Sequence, residues 1–403
     1  MTYPAATARA FQYGLIIFAL TALIGLANAT KVIGAIDQNT LLTHLHSGTL
    51  GWITMGVIGV AVWMFGGTSS TVARSIMLTA VATAAYVLAF WSGNFLARAV
   101  FGTIELVVIV GWWWWVLARS MAQGLGRISV PKLSMLLALT TLVIGSTVGV
   151  ILQILFATNN VTPQNGVLIG VHASAQVGGY LVLVAAGIAE WQLSGEHRTN
   201  AGIVQAVLLF LAGLLLAIGI LLNVTPALLL SNLFQTVAIV MVAIRVGRRA
   251  IGVGWGAATG LRHAAISIAW LVIALVLFIV LTQQLIAAQG DQSKVPPGLF
   301  IALDHTMFIG VMTNVLFGAL LALGAPRTWP WADHVIFWGL NFGAASFVAV
   351  LLTAGTSAGT GPFGHPVAFS APIMGLSVLL GIVTYSMRLM NAPATTMRAP
   401  APA

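Results

Sequence analysis

The sequence contains no cysteine among its 403 residues. This absence excludes disulfide bonds, iron–sulfur clusters, thiolate chemistry and covalent haem attachment through a C-x-x-C-H motif. Any metal centre in this chain must therefore be held by histidine, methionine, carboxylate or carbonyl groups.

Charged residues are also scarce, at 6% of the chain, whereas soluble domains average about 25%. Hydrophobic residues make up 59% and form runs of roughly 20 residues, the length needed to cross the apolar core of a bilayer. The net charge of +9 does not indicate a nucleic-acid partner, because lysine and arginine occur singly between apolar runs and form no basic face or tail. We therefore predict an integral membrane protein whose main partner is the lipid bilayer.

Apolar windows separated by glycine, proline and charged residues predict an all-α, polytopic fold with twelve transmembrane helices. The predicted helices lie near residues 11–29, 40–65, 72–92, 98–119, 132–157, 165–191, 201–222, 225–246, 262–288, 298–323, 331–354 and 366–390. With a cytoplasmic N-terminus, thirteen lysine and arginine residues fall on the inner side and only Lys31, Arg98 and Lys294 on the outer side. The positive-inside rule then places both termini in the cytoplasm of a bacterial-type inner membrane.

Four histidines lie at a similar depth in every fourth predicted helix: His44 and His46 in the second, His172 in the sixth and His305 in the tenth. Glycines follow five and thirteen residues after His46 and His305, and seven and fifteen residues after His44 and His172. These spacings predict a threefold repeat within one transmembrane domain, with groups of about 1–125, 126–250 and 251–403. They align His46 with His305 and His44 with His172. Because residues two apart on an α-helix point roughly 200° from each other, His44 and His46 cannot face the same partner.

Ionisable side chains inside a bilayer are costly, so their presence indicates a functional site. The alternative is that these histidines hydrogen-bond between packed helices, as polar side chains in membrane bundles do. Their shared depth on equivalent helices favours ligation of haem or a metal ion by neutral imidazoles. Further side chains that could orient ligands or carry protons are Glu105, Gln176, Asp304, Asn314 and His365, although His365 could equally serve only to begin the twelfth helix.

Three segments carry a resemblance to a known family: "HLHSGTLGW" at residues 44–52, "GVHASAQVGGY" at 170–180 and "LDHTMFIGVMTN" at 303–314. With twelve helices in three groups of four, the chain resembles the haem–copper oxidase superfamily, closest in character to the NnrS proteins and the catalytic subunit of nitric oxide reductase. The resemblance implies a b-type haem held by His305 and by His46, or by His44 in its place. It also implies copper or non-haem iron at His172, with His44 as a further ligand.

The resemblance implies a function in electron transfer or in a response to nitric oxide. The implied partners are an electron donor, a gaseous ligand such as nitric oxide, or partner subunits. Any enzyme activity would be that of a haem-dependent oxidoreductase. The chain departs from oxidases, which carry two histidines on the tenth helix, because Leu303 stands at the second position. The paired histidines of the family near its seventh helix have no counterpart either, which argues against a complete oxygen reductase. Two other hypotheses remain: a histidine-based transporter of copper or a small solute, and a noncatalytic membrane assembly subunit.

Overall fold

The computed structural model describes residues 5–162, 164–323, 329–356 and 361–390. Within these ranges the chain contains no strand, and twelve helices are long and apolar enough to cross a membrane. They are α1 (Ala5–Thr30), α2 (Gln38–Phe65), α3 (Ser70–Trp91), α4 (Phe95–Gln123), α5 (Val130–Ala157), α6 (Asn165–Ser194), α7 (Asn200–Leu222), α8 (Thr225–Ile251), α9 (Gly260–Ala287), α10 (Pro297–Ala322), α11 (Pro330–Ala354) and α12 (Val367–Met390). The prediction of an all-α, integral membrane protein with twelve spans is therefore confirmed. Two of the predicted inner cations, Arg327 and Arg398, lie outside the described residues.

Polar caps and glycines fix the ends of the helix that carries two of the histidines. The Asp37 carboxylate accepts hydrogen bonds from the backbone N–H groups of Asn39 and Thr40, at 2.8 and 3.0 Å. A helix cannot satisfy these first N–H groups by itself, so the cap sets the start of α2. At the other end, Gly66 adopts a left-handed conformation with φ of 71°, which glycine tolerates at little cost.

The outer helices bury one face and expose the other. In α8, for example, Ala238 and Val242 are buried, whereas Val240 and Ile244 point outward. Large apolar side chains on the exterior are suited to lipid tails rather than to water. The outward faces of such helices are therefore lipid-facing.

Helices α2, α6 and α10 form the centre of the bundle and are the three most buried spans, with 83%, 67% and 72% of their apolar windows buried. The indole Nε1 of Trp52 on α2 donates to Oγ1 of Thr313 on α10, at 3.1 Å. The hydroxyl of Tyr180 on α6 lies 3.3 Å from Oγ1 of Thr54 on α2, and donates to it. The central helices are thus joined by polar contacts as well as by packing.

Each central helix contains one π-helical segment, Ser47–Thr54 in α2, Ala175–Leu181 in α6 and Thr306–Thr313 in α10. Counted from the start of each segment, glycines occupy the fifth and thirteenth positions in all three helices: Gly51 and Gly59, Gly179 and Gly187, Gly310 and Gly318. This register is the one on which the predicted repeat depends.

The thirteenth-position glycines contact the first helix of their own group. Gly59 lies against α1, Gly187 against α5 and Gly318 against α9. The groups then follow one another around the centre, because α4 packs on α5, α8 on α9, and α12 returns to pack on α1. The structure is a ring of three groups of four helices, with the second helix of each group at the centre.

Candidate functional site

A cavity of about 430 Å³ lies between α1, α2, α10, α11 and α12, at the interface of the first and third groups. Its walls are mainly apolar, and they include Phe18, Leu42, Phe308, Phe347 and Val378. Three imidazoles also line it, those of His44 on α2, His305 on α10 and His365 just before α12. The structure therefore brings His305 together with His44.

The His44 ring is held against α1. Its Nδ1 donates to the carbonyl oxygen of Thr21, at 2.8 Å, which fixes the proton on Nδ1. One turn further along α1, Gly25 leaves room for the ring, since a Cβ there would come within 2.8 Å of His44 Cε1. No described residue hydrogen-bonds to Nε2, so its lone pair is available to a ligand.

The His305 ring is held by its own helix and by α11. Its Nδ1 donates to the carbonyl oxygen of Ile301, at 2.9 Å, and its ring packs on Phe347 with centroids 4.5 Å apart. In the described part of the chain nothing hydrogen-bonds to its Nε2. Both cavity histidines therefore have the tautomer that metal-bound imidazoles adopt, with Nδ1–H on a carbonyl and Nε2 open.

The outer part of the cavity carries polar side chains. Lys31 and Asp304 line it, and Asp304 makes no hydrogen bond to another described residue. His365 also lines it, but its Nδ1 accepts from the backbone N–H of Val367 and its Nε2 donates to the carbonyl of Gly355, both at 3.1 Å. Since both ring nitrogens are engaged, His365 fixes the start of α12 and has no lone pair for a metal.

His46 lies on a different side of α2 and does not line this cavity. Its Nδ1 donates to the carbonyl of Leu42, at 2.8 Å, and its ring stacks on Phe90 of α3 at a centroid distance of 3.8 Å. Tyr86 meets the same ring edge-on at 6.0 Å. His46 therefore faces α3, within the first group.

His172 faces α5. Its Nδ1 donates to the carbonyl of Gly145, at 2.7 Å, and Gly149 leaves room for the ring, since a Cβ there would come within 2.8 Å of Cε1. Gln176, one turn later on α6, donates weakly from Nε2 to Leu142 and Ser146, at 3.4 and 3.3 Å. Gln176 thus helps to hold α6 against α5.

Glu105 lies between α3 and α4 and is almost completely buried. One carboxylate oxygen accepts from the Thr83 hydroxyl, at 2.9 Å, and the other has no hydrogen-bond partner among the described residues. Thr83 is on the same helix as Tyr86 and Phe90, which face His46. The predicted proton-linked residue is therefore on the His46 side of the bundle.

Asn314 belongs to a separate polar cluster in the third group. Its Oδ1 accepts from Nδ1 of His263, at 2.9 Å, and its Nδ2 donates to Oδ1 of Asn341, also at 2.9 Å. Trp270 donates to the same Asn341 oxygen at 2.7 Å. His263 is fully buried although it lies near a helix end, and its Nε2 has no partner within the described ranges.

Two buried ion pairs were not singled out from the sequence. Arg245 binds Glu190, which lies 3.0 Å from His197, and Arg388 binds Asp333 at 2.8 Å. These ion pairs could have been predicted from the carboxylates and arginines that lie within apolar spans. Either charge alone would be costly in a bilayer, so each is expected to have a partner.

The donor chemistry of the described residues narrows the range of cofactors. No group of three or more His, Asp or Glu side chains that could hold a metal ion occurs within the described ranges. Of the four membrane histidines predicted as ligands, His44 and His305 line one cavity, whereas His46 and His172 face other helices. No protein-family model matches the chain, and no curated protein matches it significantly.

Proposed function

We propose that this protein binds a b-type haem in the cavity between α2 and α10, with His44 and His305 as the axial ligands. The observation that carries the proposal is that two neutral imidazoles from different helices line one apolar cavity, each with Nδ1 bound to a carbonyl. A porphyrin would supply four nitrogen ligands, so His44 and His305 would complete its iron site.

The cavity suits such a ligand. Its volume of about 430 Å³ is within the roughly 300–1,000 Å³ of ligand pockets, and its walls are predominantly apolar. The Gly25 position is shaped for an imidazole, because any larger residue would displace the His44 ring. Lys31 at the outer part of the cavity is placed to meet the carboxylates of a haem edge.

A haem with two axial imidazoles supplies one-electron transfer when bound. The chain's residues hold both imidazoles in one tautomer and surround the site mainly with apolar side chains. Because both axial positions are filled, a gas such as nitric oxide could bind only by displacing a histidine. The arrangement therefore favours electron transfer, with nitric oxide response as the second role, in a bacterial-type inner membrane with both termini cytoplasmic.

The test is the absorption spectrum of the protein purified from haem-replete cells. We expect a Soret band and a sharp α-band on reduction, and we expect His44→Ala and His305→Ala each to remove one axial ligand and convert this haem from low to high spin or release it. His334→Ala is the matched control, since His334 is an exposed histidine far from α2 along the chain.

Size-exclusion profiles of all variants show whether the bundle is intact. Colourless protein from haem-replete cells would refute the proposal, and copper without iron in metal analysis would favour the transporter hypothesis. An unchanged spectrum in both His44→Ala and His305→Ala would remove this cavity as the site.

A further inference from the structure

The ring of helix groups places the same set of helices around two different interfaces. The cavity described above is enclosed by α10, α11 and α12 of the third group and by α1 and α2 of the first. When each of these helices is replaced by its equivalent in the next group, the set becomes α2, α3 and α4 of the first group with α5 and α6 of the second. The packing of α4 on α5 there corresponds to that of α12 on α1.

The remaining two membrane histidines occupy this second interface. In the π-segment register, His172 on α6 corresponds to His44 on α2, and His46 on α2 corresponds to His305 on α10. His44 and His305 line the same cavity, so their equivalents His172 and His46 belong to one interface, that between α2 and α6. A rotation by one group therefore maps the first pair of imidazoles onto a second pair.

The surroundings of each ring also correspond. His44 and His172 both donate from Nδ1 to the preceding helix, and each lies against a glycine four residues after the accepting residue, Gly25 or Gly149. His46 and His305 both donate from Nδ1 to the carbonyl four residues earlier. Each of these two also packs on a phenylalanine of the third helix of its group, Phe90 or Phe347.

The deep ends of the two interfaces correspond as well, and a cation lies at each interface. Trp52 donating to Thr313 closes the deep end of the first cavity, and the equivalent residues of the second interface, Tyr180 and Thr54, are also hydrogen-bonded. Lys31 lines the outer part of the first, and Arg98 is buried beside His46 and Phe90 in the second. Two of the three cations on the predicted outer side thus lie one at each interface.

The third interface, between α6 and α10, lacks the histidines and the deep hydrogen bond. Leu303 stands at the position of His44 and His172, and Ser174 at the position of His46 and His305. The positions equivalent to those of the deep hydrogen bond hold Val182 and Val311, whose side chains cannot form one. The repeat alone therefore does not require histidines at these positions, and their retention at two interfaces needs its own reason.

We infer that His46 and His172 form a second axial ligand pair, and that the protein binds a second b-type haem between α2, α3, α4, α5 and α6. The inference rests on the proposed function, because it assigns to the second pair the ligand proposed for the first. At this interface His46 and His172 are only partly buried, as His44 and His305 are at the first. Gln153 and Arg98 each have a buried polar atom without a partner among the described residues, and both occur at this interface.

The test counts haem per chain by the pyridine haemochrome method on the purified full-length protein, together with the spin state of the bound iron by electron paramagnetic resonance. We expect two low-spin haems in the unmodified protein. His46→Ala and His172→Ala should each halve the low-spin signal and leave the signal of the His44–His305 haem. Ser174→Ala and Leu303→Ala, at the equivalent positions of the third interface, are matched controls and should retain both haems.

The outcomes separate this inference from the proposed function. One haem that responds to His44→Ala and His305→Ala but not to His46→Ala or His172→Ala would overturn the inference and keep the proposed function. One haem with the opposite response would refute the first site and support the second. No haem would overturn both, and the haem count of the unmodified protein decides between one site and two even where a variant fails to fold.

Discussion

Gly25 on α1 offers a way to move one ligand without removing it. In Gly25→Ala, the new Cβ would lie 2.8 Å from Cε1 of His44, about 0.7 Å short of the ~3.5 Å at which carbon atoms reach optimal separation. The imidazole must therefore move by a similar distance or rotate. Either change disturbs its hydrogen bond to Thr21, which now measures 2.8 Å.

A shift of this size matters more for ligation than for folding. Metal–ligand distances in proteins are held to about 0.2 Å, so a displacement of about 0.7 Å exceeds the tolerance of an axial bond. By contrast, alanine is favoured over glycine within a helix by roughly 0.5–1 kcal/mol, which offsets part of the steric cost. We expect Gly25→Ala to fold and to lose the low-spin spectrum of the haem between α2 and α10.

The assay compares the reduced α-band and haem content of Gly25→Ala with those of Gly111→Ala. Gly111 also lies within a helix, but a Cβ there would meet nothing within 4 Å, so this variant controls for the change in helix propensity. Gly149→Ala applies the same displacement to His172, where the Cβ would also lie 2.8 Å from Cε1. A wild-type spectrum and haem content in Gly25→Ala would refute the placement of His44 as a ligand.

Two further predictions concern the frame of the bundle. Arg245→Ala leaves the Glu190 carboxylate buried without its arginine, so we expect this substitution to lower the free energy of unfolding by about 3–5 kcal/mol. Thermal unfolding in detergent measures this loss. A loss no larger than that of the exposed control Arg248→Ala would contradict the prediction. Hydrogen bonds from Thr40 hold the pKa of the Asp37 carboxyl below its ordinary value. The α2 cap is therefore complete at neutral pH and is lost as the pH falls through that lowered pKa, whereas Asp37→Asn keeps a cap without titrating. Hydrogen exchange in the first turn of α2 should respond to acid only in the unmodified protein, and an equal response in both would contradict the assignment.

The fold could be predicted in detail because a bilayer leaves few alternatives. Apolar runs of about 20 residues can satisfy their backbone groups in lipid only as helices, so counting them gave the twelve spans. The glycines on which the repeat hypothesis rests occupy equal positions relative to the three π-helical segments, and the threefold repeat itself stays a prediction. Glycine is informative here because the central helices approach their neighbours closely at these positions.

The pairing of the histidines could not be read from that register. Alignment placed His46 with His305, and the resemblance made them the first choice for one haem. Residues that are equivalent in a ring of repeats are related by rotation, however, so they face different interfaces. Two histidines that meet across one interface occupy non-equivalent positions of the repeat. This is why His305 shares a cavity with His44. The assignment of axial ligands stays a prediction until haem is measured.

The burial of polar residues near helix ends could not be predicted from the sequence either. His263 is only three residues after the start of α9, and sequence position alone favours an exposed or interfacial role for such a residue. In the structure it lies under Phe317 and Phe337 and binds Asn314. Neither the covering aromatic rings nor the asparagine on α10 can be inferred from the residues adjacent to His263, because they come from other helices.

The position of the imidazole pairs between groups has a consequence for how such a protein could arise. The first group carries one histidine of each proposed pair, the second and third groups each carry one histidine of one pair, and no group carries a complete pair. A founding four-helix unit could have made these sites only by assembling as a trimer, in which all three interfaces would have been identical. A single chain is free of that constraint, and at its third interface Leu303 and Ser174 stand where the other two interfaces have histidines.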